Sequence, residues 1–118
     1  MTINLVEGWT AAVEWLIKFD NVPQALDDLV CSLLLYDKNG TLLGIEPPDT
    51  NATPPETGLP GTFEAVLATT GKVRYMPAPS ELSNSKSPYE FRVRLRDTAG
   101  HDVFSPDSTA RDKWFVAR

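Results

Sequence analysis

Only one cysteine, Cys31, and one histidine, His101, occur among the 118 residues. A lone cysteine excludes an internal disulfide, and the pair is too sparse for a thiolate and imidazole zinc site. Leu29, Val30 and Leu33 around Cys31 suit a buried thiol in a reducing compartment, and no basic residue adjoins it to favour the thiolate. Cationic charge is short as well. Eleven Lys and Arg face sixteen Asp and Glu, a net charge of −5, so nucleic acid and anionic membrane surfaces are excluded as expected partners. No apolar run approaches a membrane-spanning length, and residues 1–9 hold no Lys or Arg ahead of an apolar stretch. Synthesis in the cytoplasm without a secretory leader is the expectation. Asn51-Ala52-Thr53 matches a glycosylation sequon, but Pro54 follows at once and we treat the match as chance.

Catalytic machinery is equally thin. The seven glycines are dispersed at turns, among them Gly8, Gly44, Gly71 and Gly100, so no glycine-rich phosphate cradle follows a strand. No strand-turn-helix presents a nucleophile, and the one His and one Cys lie far apart in the chain. Asp37, Asn39 and Gly40 share residue types with a calcium loop. That loop needs glycine sixth and a carboxylate twelfth, where this chain has Leu42 and Pro48. Glycoside cleavage needs two carboxylates brought together by the fold, and among the sixteen acids no spacing singles out a pair. The expectation is a protein with no enzymatic activity, metal or cofactor.

What the sequence does have is alternation. At residues 89–97, Tyr89, Phe91, Val93 and Leu95 interleave with Glu90, Arg92, Arg94 and Arg96 at a period of two, which marks a half-buried strand. Burying those four apolar side chains gives about 6–12 kcal/mol of gross stabilisation. A slip of one residue would bury three arginines, so the register is well specified. Residues 13–20 alternate too, with Val13, Trp15, Ile17 and Phe19 on one face. Trp9, Val13, Leu16 and Asp20 also fit a short helix after Thr10. The aromatic and β-branched residues on one alternating face, and Pro23 beyond, favour the strand.

Residues 30–36 are nearly continuously apolar and end in Asp37-Lys38-Asn39-Gly40, after which 41–45 resume an apolar pattern. Asn39-Gly40 predicts a hairpin on a primed two-residue turn, with both residues at positive φ. Asp27-Asp28 reads as a turn. Residues 62–68 and 72–76 form another expected hairpin through Thr69-Thr70-Gly71, with Phe63, Val66, Val73 and Tyr75 inward. Ser80-Glu81-Leu82 suits one helical turn. Residues 101–104 form a short run, and 113–116 a closing strand with Trp114 and Val116 inward.

Seven to nine short strands, turn signals about every ten residues and no strong helix are the layout of an all-β sandwich or barrel, and we read one domain over 1–118, an antiparallel sandwich. Residues 46–61 break the economy of the chain. Pro47, Pro48, Pro54, Pro55 and Pro60 with three carboxylates read as a long surface loop, either a solvated excursion or a partner-contacting arm, since stiff proline-rich backbone loses little entropy on docking. Arg92, Arg94 and Arg96 form a cationic stripe on an acidic protein. That stripe either meets carboxylates within the chain or faces a partner. The candidate partner contacts are therefore Arg92, Arg94, Arg96, Pro47, Pro48, Pro54 and Pro55. Trp9, Trp15 and Trp114 open an alternative reading, an aromatic platform for carbohydrate in a sugar-binding or host-adhesin module, although their alternation with polar residues places at least two in the core.

Three stretches carry a resemblance: Val13-Glu14-Trp15-Leu16-Ile17; Asp27-Asp28-Leu29 continuing to Asp37-Lys38-Asn39-Gly40; and Gly71-Lys72-Val73-Arg74-Tyr75 leading to the alternating run from Tyr89 to Asp97. Together they resemble the immunoglobulin-like amino-terminal domain of phage baseplate upper proteins and related small phage structural proteins. The resemblance implies an immunoglobulin-like β-sandwich and a non-enzymatic virion component of the tail, baseplate, neck or capsid surface, made in the host cytoplasm. It implies docking onto other virion structural proteins in several symmetric copies, with a homo-oligomer compatible with that role, and it implies no cofactor.

Overall fold

The computed structural model describes residues 2–19, 22–105 and 112–117. The strand at 89–97 organises everything else. β9 (Tyr89–Arg96) pairs antiparallel along one side with β5 (Val30–Tyr36), which pairs in turn with the edge strand β6 (Leu42–Glu46). On the other side of β9, β11 (Asp112–Ala117) flanks its first half and β10 (Asp102–Ser105) its second half. β1 (Thr2–Val6) closes this six-stranded sheet by pairing parallel with β11.

A smaller sheet packs against it, in the order β2 (Val13–Leu16), β8 (Lys72–Met76), β7 (Thr62–Leu67). A two-residue ribbon of β3 (Lys18–Phe19) and β4 (Val22–Pro23) extends β2. The order β11-β9-β5-β6 facing β2-β8-β7 is G-F-C-C′ over B-E-D in immunoglobulin lettering, and the chain visits these strands in the same sequence. The domain is an immunoglobulin-like antiparallel β-sandwich.

Two further details fit that architecture. Tyr89, at the start of β9, is fully buried; its hydroxyl accepts the Ser83 N–H at 3.0 Å and donates to the Glu81 carbonyl at 3.3 Å. That is the tyrosine corner of the fold, in which a tyrosine at the start of strand F bonds back to the preceding connection. Two residues on, where antibody domains place the second cysteine of their B–F disulfide, this chain has Phe91. Its ring meets Trp15 of β2 edge-on at 5.2 Å, so an aromatic contact links the two sheets. Trp114 joins the same cluster, 4.9 Å from Phe91 and 6.0 Å from Trp15, and its indole N–H meets no hydrogen-bond acceptor.

Tyr89, Phe91, Val93 and Leu95 are all buried, as their alternation requires. The strand reading of 13–19 holds over the helical one: Val13, Trp15 and Ile17 are buried while Glu14, Leu16 and Lys18 are exposed. Asp20 lies outside the described residues. β5 is apolar almost throughout because both of its faces are covered. Leu33 and Leu35 enter the main core, while Leu34 and Tyr36 pack with Ile45 and Phe104 on the outer side.

Several sequence expectations need correction. Asn39 has no positive φ; only Gly40 does, at 78°. The hairpin closes through three residues, with the Gly40 N–H donating to the Asp37 carbonyl at 3.0 Å, because the Asp37 side chain organises the turn: its Oδ1 accepts the N–H groups of Asn39 at 2.9 Å and Thr41 at 3.0 Å. Val66 does not enter the core, since the β7–β8 register shifts between Ala65 and Leu67. The turn of helix expected at residues 80–82 sits instead at Asn84–Lys86, and Leu82 is buried in the core. β1 was not anticipated.

Candidate functional site

The arginine stripe and the proline-rich loop, expected separately as partner contacts, lie against each other. Arg92, Arg94 and Arg96 project from β9 on the outer face of the large sheet, and residues 46–61 fold back over that face. Arg94 grips Glu56 with both arms of its guanidinium, Nη1 to Oε2 at 2.7 Å and Nη2 to Oε1 at 3.0 Å. Its side chain is only 7% exposed and that of Glu56 17%. Arg96 donates to Asp102 of β10 at 2.7 and 3.1 Å and reaches Asp49 in the loop at 2.8 Å. Arg92 lies over the Phe104 ring, 4.3 Å from its centroid, a cation–π arrangement.

The loop is also tied to itself and to the sheet. The Asp49 N–H donates to Glu56 Oε1 at 2.7 Å, and the Glu56 N–H returns to the Asp49 carbonyl at 3.1 Å. Ser32 Oγ donates to the Pro47 carbonyl at 2.9 Å, and the Ile45 N–H donates to the Thr57 carbonyl at 2.8 Å, so the returning chain covers part of the β6 edge. Gly44 is needed for that approach: a Cβ there would stand 2.8 Å from the Gly58 carbonyl oxygen. Leu59 then enters the core as the chain crosses to the small sheet.

Electrostatics follow the geometry. The Arg94 hydrogen bonds hold the Glu56 carboxyl below its ordinary range, and Arg96 does the same for Asp102. Arg94 and Arg96 are thus matched by three carboxylates, Glu56, Asp49 and Asp102, and the expected cationic stripe is largely spent inside the chain. Of the four candidate prolines, Pro47, Pro54 and Pro55 are exposed and Pro48 is half-buried. Two shallow concavities border the loop. One of 330 Å³ involves Ser32, Pro47, Pro48 and Arg94; the other, of 360 Å³, lies between Leu42–Ile45 of β6 and Pro54–Thr57. Glu56, Asp49 and Asp102 are the site residues that sequence reasoning did not single out. For Asp49 and Glu56 the available signal was the carboxylates set among the loop prolines; Asp102, on β10, carried none.

Other candidates stay apart. His101 is exposed and lies 3.2 Å from Asp97. Cys31 is half-buried, and burial pushes its thiol up to about 11. Among the described residues, no three His, Cys, Asp or Glu side chains gather to hold a metal ion. No helix among them is long and apolar enough to cross a membrane. Trp15 and Trp114 are core residues, and Trp9 is partly buried with its indole N–H donating to the Ala11 carbonyl at 2.9 Å. An aromatic platform of three tryptophans is therefore not present on the surface.

Two features look outward. Phe115 and Val6, on the outer face of β11 and β1, are 41% and 51% exposed. Glu14, Lys72, Arg74 and Glu64 form a mixed charge lattice on the outer face of the small sheet, with Lys72 3.1 Å from Glu14 and Arg74 paired with both Glu64 and Glu14. Compared with protein-family models and with curated proteins, the chain matches none.

Proposed function

We propose that this domain is a non-enzymatic structural component of a bacteriophage particle, in the tail, baseplate, neck or on the capsid surface, and that it acts by docking onto other virion proteins. The observation that carries this reading is the pairing of a tied-down outer face with an open one. Over β5, β6 and β9 the loop spends the charged groups internally. Beyond them, Val6 and Phe115 leave an apolar strip beside the sheet edge at β1. Apolar side chains next to an unextended sheet edge suit attachment to another protein, by strand addition or side-chain packing. The resemblance in strand pattern to phage baseplate domains supplies the setting.

Mass spectrometry of particles purified from the phage that encodes this chain tests the reading. The chain is expected in a fixed ratio to the major structural proteins. Its presence in the infected-cell lysate with absence from washed particles would overturn the proposal. Within particles, Phe115→Glu is expected to reduce incorporation at least about tenfold, the loss of one well-packed aromatic anchor, while the isolated domain keeps its fold.

A further inference from the structure

We infer that the free edge of β2 is a self-pairing site, at which two copies of this chain join antiparallel about a two-fold axis through Leu16. The inference rests on strand geometry and charge, and it stands whether or not the domain belongs to a virion. β2 ends the small sheet, with β8 on one side. The Ile17 N–H donates to the Gly71 carbonyl at 2.8 Å, and the Ile17 carbonyl accepts the Gln24 N–H at 2.8 Å. Odd-numbered residues of this strand therefore turn their backbone groups inward. By the alternation of an antiparallel ladder, Glu14, Leu16 and Lys18 turn theirs toward the open edge. The side chains of the same three residues lie on the outer, exposed face.

Sequence then sets the register. In a two-fold antiparallel pair centred on Leu16, each Glu14 stands opposite Lys18 of the second copy, and Leu16, 41% exposed, meets its own symmetry mate. Opposite charges and apolar neighbours at directly facing positions are what stabilise such pairs. The backbone alternation agrees, because the positions set opposite each other are the ones whose N–H and C=O groups face outward. Among the described residues, none of the other strands that end a sheet has this property: β6 is partly covered by the returning loop through the Ile45 N–H and the Thr57 carbonyl, β1 offers Asn4 and Val6 on its outer face, and β7 offers Thr62 and Glu64 before its register shift. A second copy is thus the occupant whose charges complement this edge. The contact is small, so the dimer is expected to dissociate on dilution.

Sedimentation equilibrium of the full chain from low micromolar to millimolar concentration tests this. A monomer–dimer equilibrium is expected. Lys18→Glu places like charges opposite each other twice per dimer and should weaken self-association about tenfold or more. Glu14→Lys should do the same. An equimolar mixture of the two variants recreates opposite charges at both positions and should recover a dimer of mixed composition. Glu14 also pairs with Lys72, so Leu16→Pro serves as an independent arm. It deletes an outward N–H, leaves the bonds to β8, and is expected to give a folded monomer. A wild-type chain that stays monomeric throughout overturns the inference, as does a dimer whose strength none of Lys18→Glu, Glu14→Lys and Leu16→Pro changes.

Discussion

Glu56 performs two tasks with one carboxylate. It closes the loop by accepting the Asp49 N–H, and it fastens the loop to β9 by accepting both arms of Arg94. Because both side chains are largely withdrawn from water, removing one leaves the other without its partner, at a cost of about 2–4 kcal/mol. Glu56→Ala should therefore lower the urea midpoint by that equivalent. The double variant Glu56→Met with Arg94→Met should lose much less than the sum of the singles, which a double-mutant cycle measures. Acid should act on the same contacts. Glu56 and Asp102 have folded-state values below their unfolded ones, each mainly through an arginine hydrogen bond. Their contribution to stability is complete above the unfolded carboxyl range, about pH 4–4.5, and is lost as pH falls through the depressed folded values. Urea midpoints recorded from neutral pH to pH 3 should decline most steeply below pH 4.5, and in Glu56→Ala the decline should be shallower.

Two elements share one turn device. Asp37 and Asp97 each accept two backbone N–H groups on Oδ1, from Asn39 and Thr41 in one case and from Ala99 and His101 in the other. Each turn ends in a glycine at positive φ, Gly40 at 78° and Gly100 at 86°. Alanine at either should cost about 1 kcal/mol. Gly71→Ala should cost more, about 2 kcal/mol or above, because a Cβ there would also stand 2.5 Å from the Gln24 carbonyl oxygen. Thermal denaturation of the three variants orders them. The Asp-x-x-Gly spacing was legible in the sequence, yet the Asn-Gly pair drew attention to the wrong turn type. β9, β2 and β5 were legible because their burial is written in nearest-neighbour alternation or in a continuous apolar run. β1 was not: its five residues gain their place by pairing with β11, more than a hundred positions away. The loop clamp was invisible for the same reason, since Glu56 meets Arg94 across 38 positions and Asp49 meets Arg96 across 47, and no local pattern encodes such a meeting.

At the scale of the whole molecule, Trp15, Phe91, Trp114 and Tyr75 fill the space between the sheets with touching rings. Tryptophan emission of the folded protein should therefore be blue-shifted, and titration with host polysaccharides should leave it unchanged; a saturable change would revive the carbohydrate reading. Trp114→Ala should destabilise by about 3–5 kcal/mol, read from the loss of a cooperative melt. The acidic loop, finally, is made long before the basic strand that receives it. A chain emerging from the ribosome presents Asp49 and Glu56 while Arg94 and Arg96 are still to be translated, so its surface is transiently more anionic than that of the finished domain, and the arrival of β9 supplies the partners that these carboxylates lack.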